Sequence, residues 1–107
     1  MKYQGIGSSG VEASRIAMGV MRMAGKTRDE AREIAQTALD CGMNFFDSAD
    51  IYGAGESSRA LGQALHDLGV NRQDVVLQTK FGIAPDFTGR RNGIYDFSRD
   101  HLLSSLE

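Results

Sequence analysis

The sequence has no tryptophan, and cysteine and proline occur only once each. One cysteine cannot form an internal disulfide, which excludes the small secreted domains that disulfides hold together. No apolar run approaches the length of a transmembrane helix, and the N-terminal residues M-K-Y-Q-G-I-G lack the apolar core of a signal peptide. The sequence therefore predicts a cytoplasmic protein without membrane contact, in which Cys41 is a small buried apolar side chain.

An excess of charge of one sign is also missing. The 12 basic and 14 acidic residues leave a net charge of -2, and Arg90-Arg91 is the one adjacent basic pair. This weakly acidic balance predicts no binding to nucleic acid or to anionic lipid. With 107 residues, of which 41% are hydrophobic and 24% charged, the composition is typical of one soluble globular domain with a modest core.

Two segments have the pattern of amphipathic helices. In the first, Thr27 and Glu30 have the spacing of a capping box, apolar residues recur at 31, 34, 35, 38 and 39, and Gly42 gives an end signal. The second helix is predicted over residues 56–68, with Gly69 as its end signal. Gly62 lies inside it at a cost of roughly 1 kcal/mol relative to alanine, so we expect this helix to approach the sheet closely there.

Short apolar runs at residues 16–20, 44–48 and 75–80 predict three strands that alternate with these helices. The distances between the strand starts are close to the size of a βαβ unit. Parallel strands joined by right-handed crossovers end on the same side of a sheet, so the residues after the second and third strands should share one rim. Before the first strand, residues 3–6 and 11–13 predict a short β-hairpin.

Three chemically complementary side chains are expected at that rim. Asp47 and Tyr52 follow the second strand, and Lys80 ends the third. A free phenol has a pKa near ~10, too high for acid or base catalysis at neutral pH, but a nearby cation stabilises its ionised form. Lysine supplies that cation, and aspartate keeps the lysine charged and in place. Such a set can give a proton to a developing alkoxide or take one from an alcohol. The alternative on residue types alone is a structural ion pair beside a packed tyrosine.

Other candidate patterns have weaker support. Asp50 competes with Asp47 but lies further into the loop, where aspartate is commonly a turn residue or cap. The string G-I-G-S-S-G at 5–10 lacks the preceding strand and following helix of a dinucleotide-binding turn. The string G-A-G-E-S at 53–57 lacks the lysine of a phosphate-binding loop, and Glu56 near a helix N-terminus is explained by the helix dipole.

The run F-F-D-S-A-D-I-Y-G-A-G-E, followed by L-G-Q-A-L at 61–65 and Q-T-K at 78–80, resembles the aldo-keto reductase family. The resemblance extends from about Ile16 to the end of the sequence, and D-x-A-x-x-Y-G is one of the family's more specific motifs. It implies an α/β fold that is the N-terminal part of a (β/α)8 TIM barrel, with about three βα units preceded by the β-hairpin. Since such a barrel needs roughly 250 residues, residues 1–107 would be a single incomplete domain.

The resemblance also implies the catalytic residues. Asp47, Tyr52 and Lys80 match three members of a catalytic tetrad, in which Tyr52 is the general acid. The fourth member is a histidine that in the family follows the next strand, beyond residue 107. Neither His66 nor His101 is placed to substitute for it, and we expect both at the surface.

The resemblance implies NADP as the cofactor and a small-molecule carbonyl compound as the substrate. Gly19, Val20 and Met21, together with Asp47, would lie nearest the nicotinamide end of the cofactor. The family's main contacts to the cofactor phosphates lie in later strands and loops. No metal site is predicted, and self-association into a homo-oligomer is a further expectation.

The polar segment 81–97 shows no clear periodicity and is predicted as an irregular loop that hangs over the rim near Lys80. We expect Phe81, Phe87 and Tyr95 to form walls of a substrate pocket. Ser98 is then the predicted N-cap of a third helix.

Three functions compete at this point. The first is an NADP-dependent reductase of aldehydes or ketones. The second is a non-catalytic binding or regulatory protein on the same scaffold, since the family includes channel-associated β subunits. The third is an inactive fragment that persists by oligomerising.

Overall fold

The computed structural model describes residues 1–84 and 94–106. The chain begins with the predicted hairpin, in which β1 (Tyr3–Gly5) and β2 (Glu12–Ser14) pair antiparallel. Asn44 holds this hairpin: its side-chain oxygen accepts from the Ser14 N–H at 2.7 Å, and its side-chain amide donates to the Glu12 carbonyl at 3.0 Å. The hairpin is therefore fixed to the residue that precedes the second parallel strand.

The three predicted strands form one parallel sheet of order β3-β4-β5, with β3 at Met18–Gly19, β4 at Phe45–Asp47 and β5 at Val76–Gln78. Each strand is shorter than its apolar run. Backbone pairing nevertheless continues past their ends, since the Ser48 N–H donates to the Gln78 carbonyl at 2.8 Å and the Asp50 N–H to the Lys80 carbonyl at 3.1 Å. The register pairs Gly19 with Asp47 and Asp47 with Gln78, so the chain segments that leave all three strands start at the same rim.

Two helices connect these strands, α1 (Arg28–Asp40) and α2 (Glu56–Asp67). The predicted capping box is present at the start of α1, where the Thr27 side chain accepts from the Glu30 N–H and the Glu30 carboxylate accepts from the Thr27 N–H. Gly42 and Gly69 follow the two helices with φ values of 82° and 65°, the left-handed conformation that glycine adopts without steric cost. Both helix predictions are confirmed.

The helices and the sheet share one hydrophobic core. Phe46 at the centre of β4 is fully buried, and small side chains of α1 and α2 surround it. The core consists of Val20, Met23, Ala31, Ala35, Ala38, Phe46, Leu61, Ala64, Leu65 and Val75. Alanine at four of these positions lets the two helices approach each other and the sheet closely.

The segment after β5 has more structure than the sequence predicts. β6 (Ile83–Ala84) and β7 (Ile94–Tyr95) form an antiparallel pair, so the prediction of an irregular loop is wrong for these residues. Strands of two residues are too short for an alternating pattern to reveal them. Phe87 lies outside the described residues. The third helix, α3 (Arg99–Leu106), begins as predicted, since the His101 N–H donates to Ser98 Oγ at 3.1 Å.

Three local predictions are wrong. Cys41 is exposed and lines an open groove beside α1 together with Met18, Ile34 and Met43. Gly62 lies on the exposed face of α2, where an added Cβ would have no neighbour within 4 Å in the described part of the chain. His101 is half-buried and packs against Phe81 with the ring centroids 6.2 Å apart, whereas His66 is exposed as predicted.

Among the residues that the structure describes, none of the helices is long and apolar enough to cross a membrane.

Candidate active site

The Lys80 ammonium group is the centre of the rim. Its nitrogen donates to the Asp47 carboxylate at 2.9 Å, to the Ser48 carbonyl at 2.7 Å and to the Tyr52 hydroxyl at 3.3 Å. These three contacts match the three donors of an ammonium group. The structure therefore brings Asp47, Tyr52 and Lys80 together, as the parallel arrangement of β4 and β5 requires.

The charge state of Lys80 follows from these contacts. Hydrogen bonding to Asp47 raises the pKa of Lys80 above its usual value, and the contact with Tyr52 acts in the same direction. Partial burial acts in the opposite direction and is weaker than the hydrogen bond to Asp47, although it outweighs the contact with Tyr52. Lys80 is thus a fixed cation at neutral pH, and its nitrogen also lies 5.0 Å from the centroid of the Tyr52 ring.

Gln78 is a site residue that the sequence analysis did not identify. Its side-chain amide donates to Asp47 Oδ1 at 2.7 Å. Gln78 and Asp47 are direct partners in the parallel register, so their side chains leave the sheet next to each other. The sequence did contain a signal for this contact. Gln78 lies two residues before Lys80, so it stands beside Asp47 once the two strands are aligned.

Tyr52 is held by an unusually tight turn. A short 3-10 turn at Tyr52–Gly55 begins with the Tyr52 N–H donating to the Ala49 carbonyl at 3.1 Å. Gly53, Ala54 and Gly55 all have positive φ, of 59°, 53° and 91°. Gly53 is required on two grounds, since an added Cβ would also lie 2.3 Å from the Cβ of Ala24. The left-handed φ of Ala54 is a conformation that non-glycine residues rarely adopt, and such strain is often found at functional sites.

The residues predicted to face the nicotinamide differ in their exposure. Gly19 is exposed and is the register partner of Asp47, with open space where a Cβ would be. The Val20 N–H donates to the Asp47 carbonyl at 3.0 Å, but the Val20 side chain is buried in the core. Met21 follows in a short 3-10 turn (Met21–Met23) with an exposed side chain. Gly19, Met21 and Asp47 are therefore accessible to a ligand, whereas Val20 can offer only its backbone.

A mostly apolar cleft of about 270 Å³ opens beside Tyr52 and Lys80. The aromatic side chains Phe81, Tyr95 and Phe97 line it together with Ala49, Asp50, Ile51, Gly82 and Ile83. Phe97 was missed by the sequence analysis. Its ring packs edge-on against Phe81 and stacks on Tyr95, with centroid distances of 6.2 Å and 6.3 Å.

The position of the Phe97 ring requires a glycine at residue 82. The φ of Gly82 is 115°, and an added Cβ would lie 2.3 Å from the Phe97 ring. The Asp96 N–H donates to the Gly82 carbonyl at 3.0 Å, which fixes the two sides of the hairpin next to Phe97. The aromatic wall therefore depends on contacts between residues distant in sequence, which explains why periodicity alone did not reveal it.

Across residues 1–84 and 94–106, no group of three or more histidine, cysteine, aspartate or glutamate side chains could hold a metal ion. The side chains that meet at the rim are a phenol, an ammonium group and a carboxylate, and they lie at the carboxyl ends of parallel strands. This arrangement is typical of barrel enzymes, whose active sites lie at that face.

Comparison with known proteins gives the family. The model of the aldo/keto reductase family matches residues 15–107, and the chain belongs to that family. A probable voltage-gated potassium channel subunit beta from Oryza sativa subsp. japonica is 36% identical over 111 residues, covering 99% of this chain and 32% of that protein. A 6-dehydroglucose reductase from Novosphingobium aromaticivorans is 35% identical over 113 residues, covering 98% of this chain and 35% of that protein. The chain spans about a third of the length of these relatives.

Solved structures agree with this result. The holo form of the aldo-keto reductase AKR11C1 from Bacillus halodurans matches with a TM-score of 0.81 and 30% identity, covering 99% of this chain and 34% of that one. A thermostable aldo-keto reductase, Tm1743, in complex with the inhibitor epalrestat, matches with a TM-score of 0.75 and 26% identity, covering 99% of this chain and 36% of that one. The predicted α/β fold, part of a (β/α)8 barrel, is confirmed.

Proposed function

We propose that this protein is an NADP-dependent reductase of aldehydes or ketones, with Tyr52 as the general acid. The observation that carries the proposal is the Lys80 ammonium group, which contacts both the Asp47 carboxylate and the Tyr52 hydroxyl. A structural ion pair would need only Asp47 and Lys80. Contact with the phenol oxygen gives the cation a role in proton transfer.

The proposed reaction assigns a separate task to each side chain. NADPH, when bound, supplies the hydride that adds to the carbonyl carbon. The Tyr52 hydroxyl donates its proton to the carbonyl oxygen as negative charge develops there. Lys80 stabilises the negative charge left on the phenol oxygen, because its ammonium group already donates to that atom. Asp47 keeps Lys80 charged and in position, and Gln78 donates a further hydrogen bond to the same carboxylate.

The described residues fit the nicotinamide end of such a cofactor. Gly19 leaves open space at the rim, and its register partner Asp47 offers carboxylate oxygens as hydrogen-bond acceptors. Met21 adds an exposed apolar side chain close by in sequence. We therefore propose that Gly19, Met21 and Asp47 contact the nicotinamide and its ribose, and that the backbone of Val20 supports them.

The aromatic cleft supports a substrate class. One end holds the proton donor Tyr52 and the cation Lys80, whereas Phe81, Tyr95 and Phe97 form an apolar wall. We therefore propose that the substrate is a small carbonyl compound whose carbonyl carries an apolar or aromatic substituent. The substituent would pack on the wall while the carbonyl oxygen faces Tyr52.

The Tyr52→Phe variant of the intact protein tests this function. We expect the wild-type protein to oxidise NADPH in the presence of aldehydes such as benzaldehyde. The variant should lose about 10²-fold to 10⁴-fold in kcat, the usual contribution of general acid catalysis, while its affinity for NADPH stays within twofold. A variant that retains wild-type kcat would refute the role of Tyr52.

A regulatory function is the second candidate, because relatives described as probable voltage-gated potassium channel subunits beta match essentially the whole chain. Under this proposal the intact protein would bind a partner protein. Binding would be the same for the wild type and the Tyr52→Phe variant, and no aldehyde in a broad panel would be reduced. The same pair of proteins thus separates the two functions.

A further inference from the structure

Ser57 in the first turn of α2 is a fully buried polar residue that the proposed reaction does not use. Its hydroxyl donates to the Met21 carbonyl at 3.0 Å and accepts from the Ala24 N–H at 3.2 Å. Both partners belong to the turn that follows β3, more than 30 residues away in sequence. The hydroxyl thus hydrogen-bonds to the first and the last residue of this turn and holds both against α2.

A second contact joins the same two segments. Gly53, directly after Tyr52, approaches Ala24 so closely that an added Cβ would lie 2.3 Å from the Ala24 Cβ. The turn of residues 21–24 is therefore held by the Tyr52 turn on one side and by Ser57 on the other. The turn begins two residues after Gly19, the register partner of Asp47, so these contacts hold a segment that lies next to the rim.

The neighbouring residue of α2 reaches the catalytic side of the rim. Ser58 Oγ and Ser48 Oγ are 2.8 Å apart, and the Ser48 carbonyl accepts from Lys80 Nζ at 2.7 Å. The first turn of α2 consequently contacts both the turn after β3 and the backbone that holds Lys80. The turn after β3 could move relative to the backbone that holds Lys80 only if these hydrogen bonds broke.

We propose that Ser57 is a positioning residue that fixes residues 21–24 relative to Asp47 and Tyr52, and so preorganises the nicotinamide side of the cofactor site. This inference rests on the proposed function. Packing alone does not explain a hydroxyl at this position, since alanine would fill most of the same space. Without the hydroxyl, the Ala24 N–H and the Met21 carbonyl would lose their partner in a part-buried setting, where an unpaired polar group is costly.

The test compares Ser57→Ala and Ser57→Cys in the intact protein. Cysteine keeps a group in the position of the hydroxyl but is a weak hydrogen-bond donor and acceptor, so both variants should behave alike. We expect KM and Kd for NADPH to rise about tenfold while kcat stays within twofold of the wild type. Hydrogen exchange at the amide of Ala24 should become faster in both variants.

Gly62→Ala is the matched control, because it changes an exposed position of the same helix, where an added Cβ would meet none of the described residues within 4 Å. It should leave KM and kcat unchanged and should not make exchange at Ala24 faster. A variant that merely lost folded protein would lower kcat through the active fraction and leave KM unaltered, so the division between KM and kcat separates positioning from general destabilisation. If Ser57→Ala fails to fold, Ser57→Cys gives the same comparison.

The two hypotheses fail in different ways. If the wild type binds NADPH and both Ser57 variants keep its KM within twofold, the positioning role is wrong and the proposed function stands. If the wild type neither binds NADPH nor reduces aldehydes, the proposed function is wrong and the inference falls with it. Unchanged exchange at Ala24 in both variants would also overturn the positioning role.

Discussion

The Gln78 side-chain amide donates to Asp47 Oδ1 at 2.7 Å, and the two residues are register partners in neighbouring parallel strands. Lys80 holds the same carboxylate at 2.9 Å. Asp47 is thus fixed by a neutral donor and a charged donor at once. A carboxylate held in this way cannot rotate freely, and the Lys80 ammonium group that it supports stays aimed at Tyr52.

Replacement of Gln78 by leucine should lower kcat of the intact protein about tenfold, because a hydrogen bond to a charged group is lost and Asp47 can leave its position. Gln78→Glu should be worse, since a second carboxylate would repel Asp47 and compete for Lys80. Gln36→Leu, an exposed change on α1, is the control and should leave kcat unaltered. Equal activity of the Gln78→Leu and Gln36→Leu variants would show that Asp47 needs no second donor.

Two glycine replacements should change stability in opposite directions. Gly62→Ala should raise the free energy of unfolding by about 0.5–1 kcal/mol, because the position is helical, exposed and free of neighbours. Gly53→Ala should lower it by at least about 1–2 kcal/mol, since φ is 59° and the new Cβ would meet Ala24. Urea denaturation of both variants measures the difference. If Gly62→Ala lowered the stability instead, the result would mean that α2 does approach the sheet closely at this position, as the sequence predicted.

The ion pair between α1 and α2 should make stability depend on pH. Arg28 donates to both oxygens of Asp67, at 2.6 Å and 2.7 Å, and this hydrogen bonding holds the pKa of Asp67 well below its usual range. Gln63 contributes a further hydrogen bond, while partial burial acts in the opposite direction. The folded-state pKa is thus below the unfolded value near ~4. The stabilisation is present above about pH 4 and is lost as the pH falls through the folded-state value.

The Asp67→Asn variant tests this dependence. It should unfold at a lower urea concentration than the wild type at pH 7, and the two midpoints should converge as the pH falls below about 4. Glu33→Gln is the control, because Glu33 is exposed in the interior of α1 and forms no ion pair with the other described residues. Its midpoint should follow the wild type at every pH. A constant difference between the wild type and Asp67→Asn would mean that ionisation of Asp67 does not contribute.

Phe97→Ala should change substrate preference in the intact protein. Loss of an aromatic contact worth about 0.5–1.5 kcal/mol predicts a rise in KM for benzaldehyde of about twofold to thirteenfold, with little change for a small aliphatic aldehyde. Leu106→Ala provides the control, because its exposure of 69% is close to the 70% of Phe97 while it lies outside the cleft. Identical KM values for benzaldehyde in the wild type and Phe97→Ala would show that the aromatic wall is not part of the substrate site.

Much of this fold could be predicted from the sequence because its signals are local. The capping box at Thr27, the apolar spacing of α1 and α2 and the glycines that follow them depend on residues three or four positions apart. The order of strands and helices then requires parallel pairing, and parallel pairing brings Asp47 and Lys80 to one rim. The motif around Tyr52 was specific enough to indicate the family, which the comparisons confirm.

The tertiary structure alone decided which side chains meet across those elements. Gln78 reaches Asp47 because of strand register, Phe97 packs over Gly82 because two very short strands pair, and Ser57 contacts the turn after β3 because α2 begins beside it. The exposure of Gly62 likewise depends on how α2 is rotated against its neighbours. Register, rotation and close approach are set by the packing of segments far apart in sequence, and no local pattern of residues encodes them.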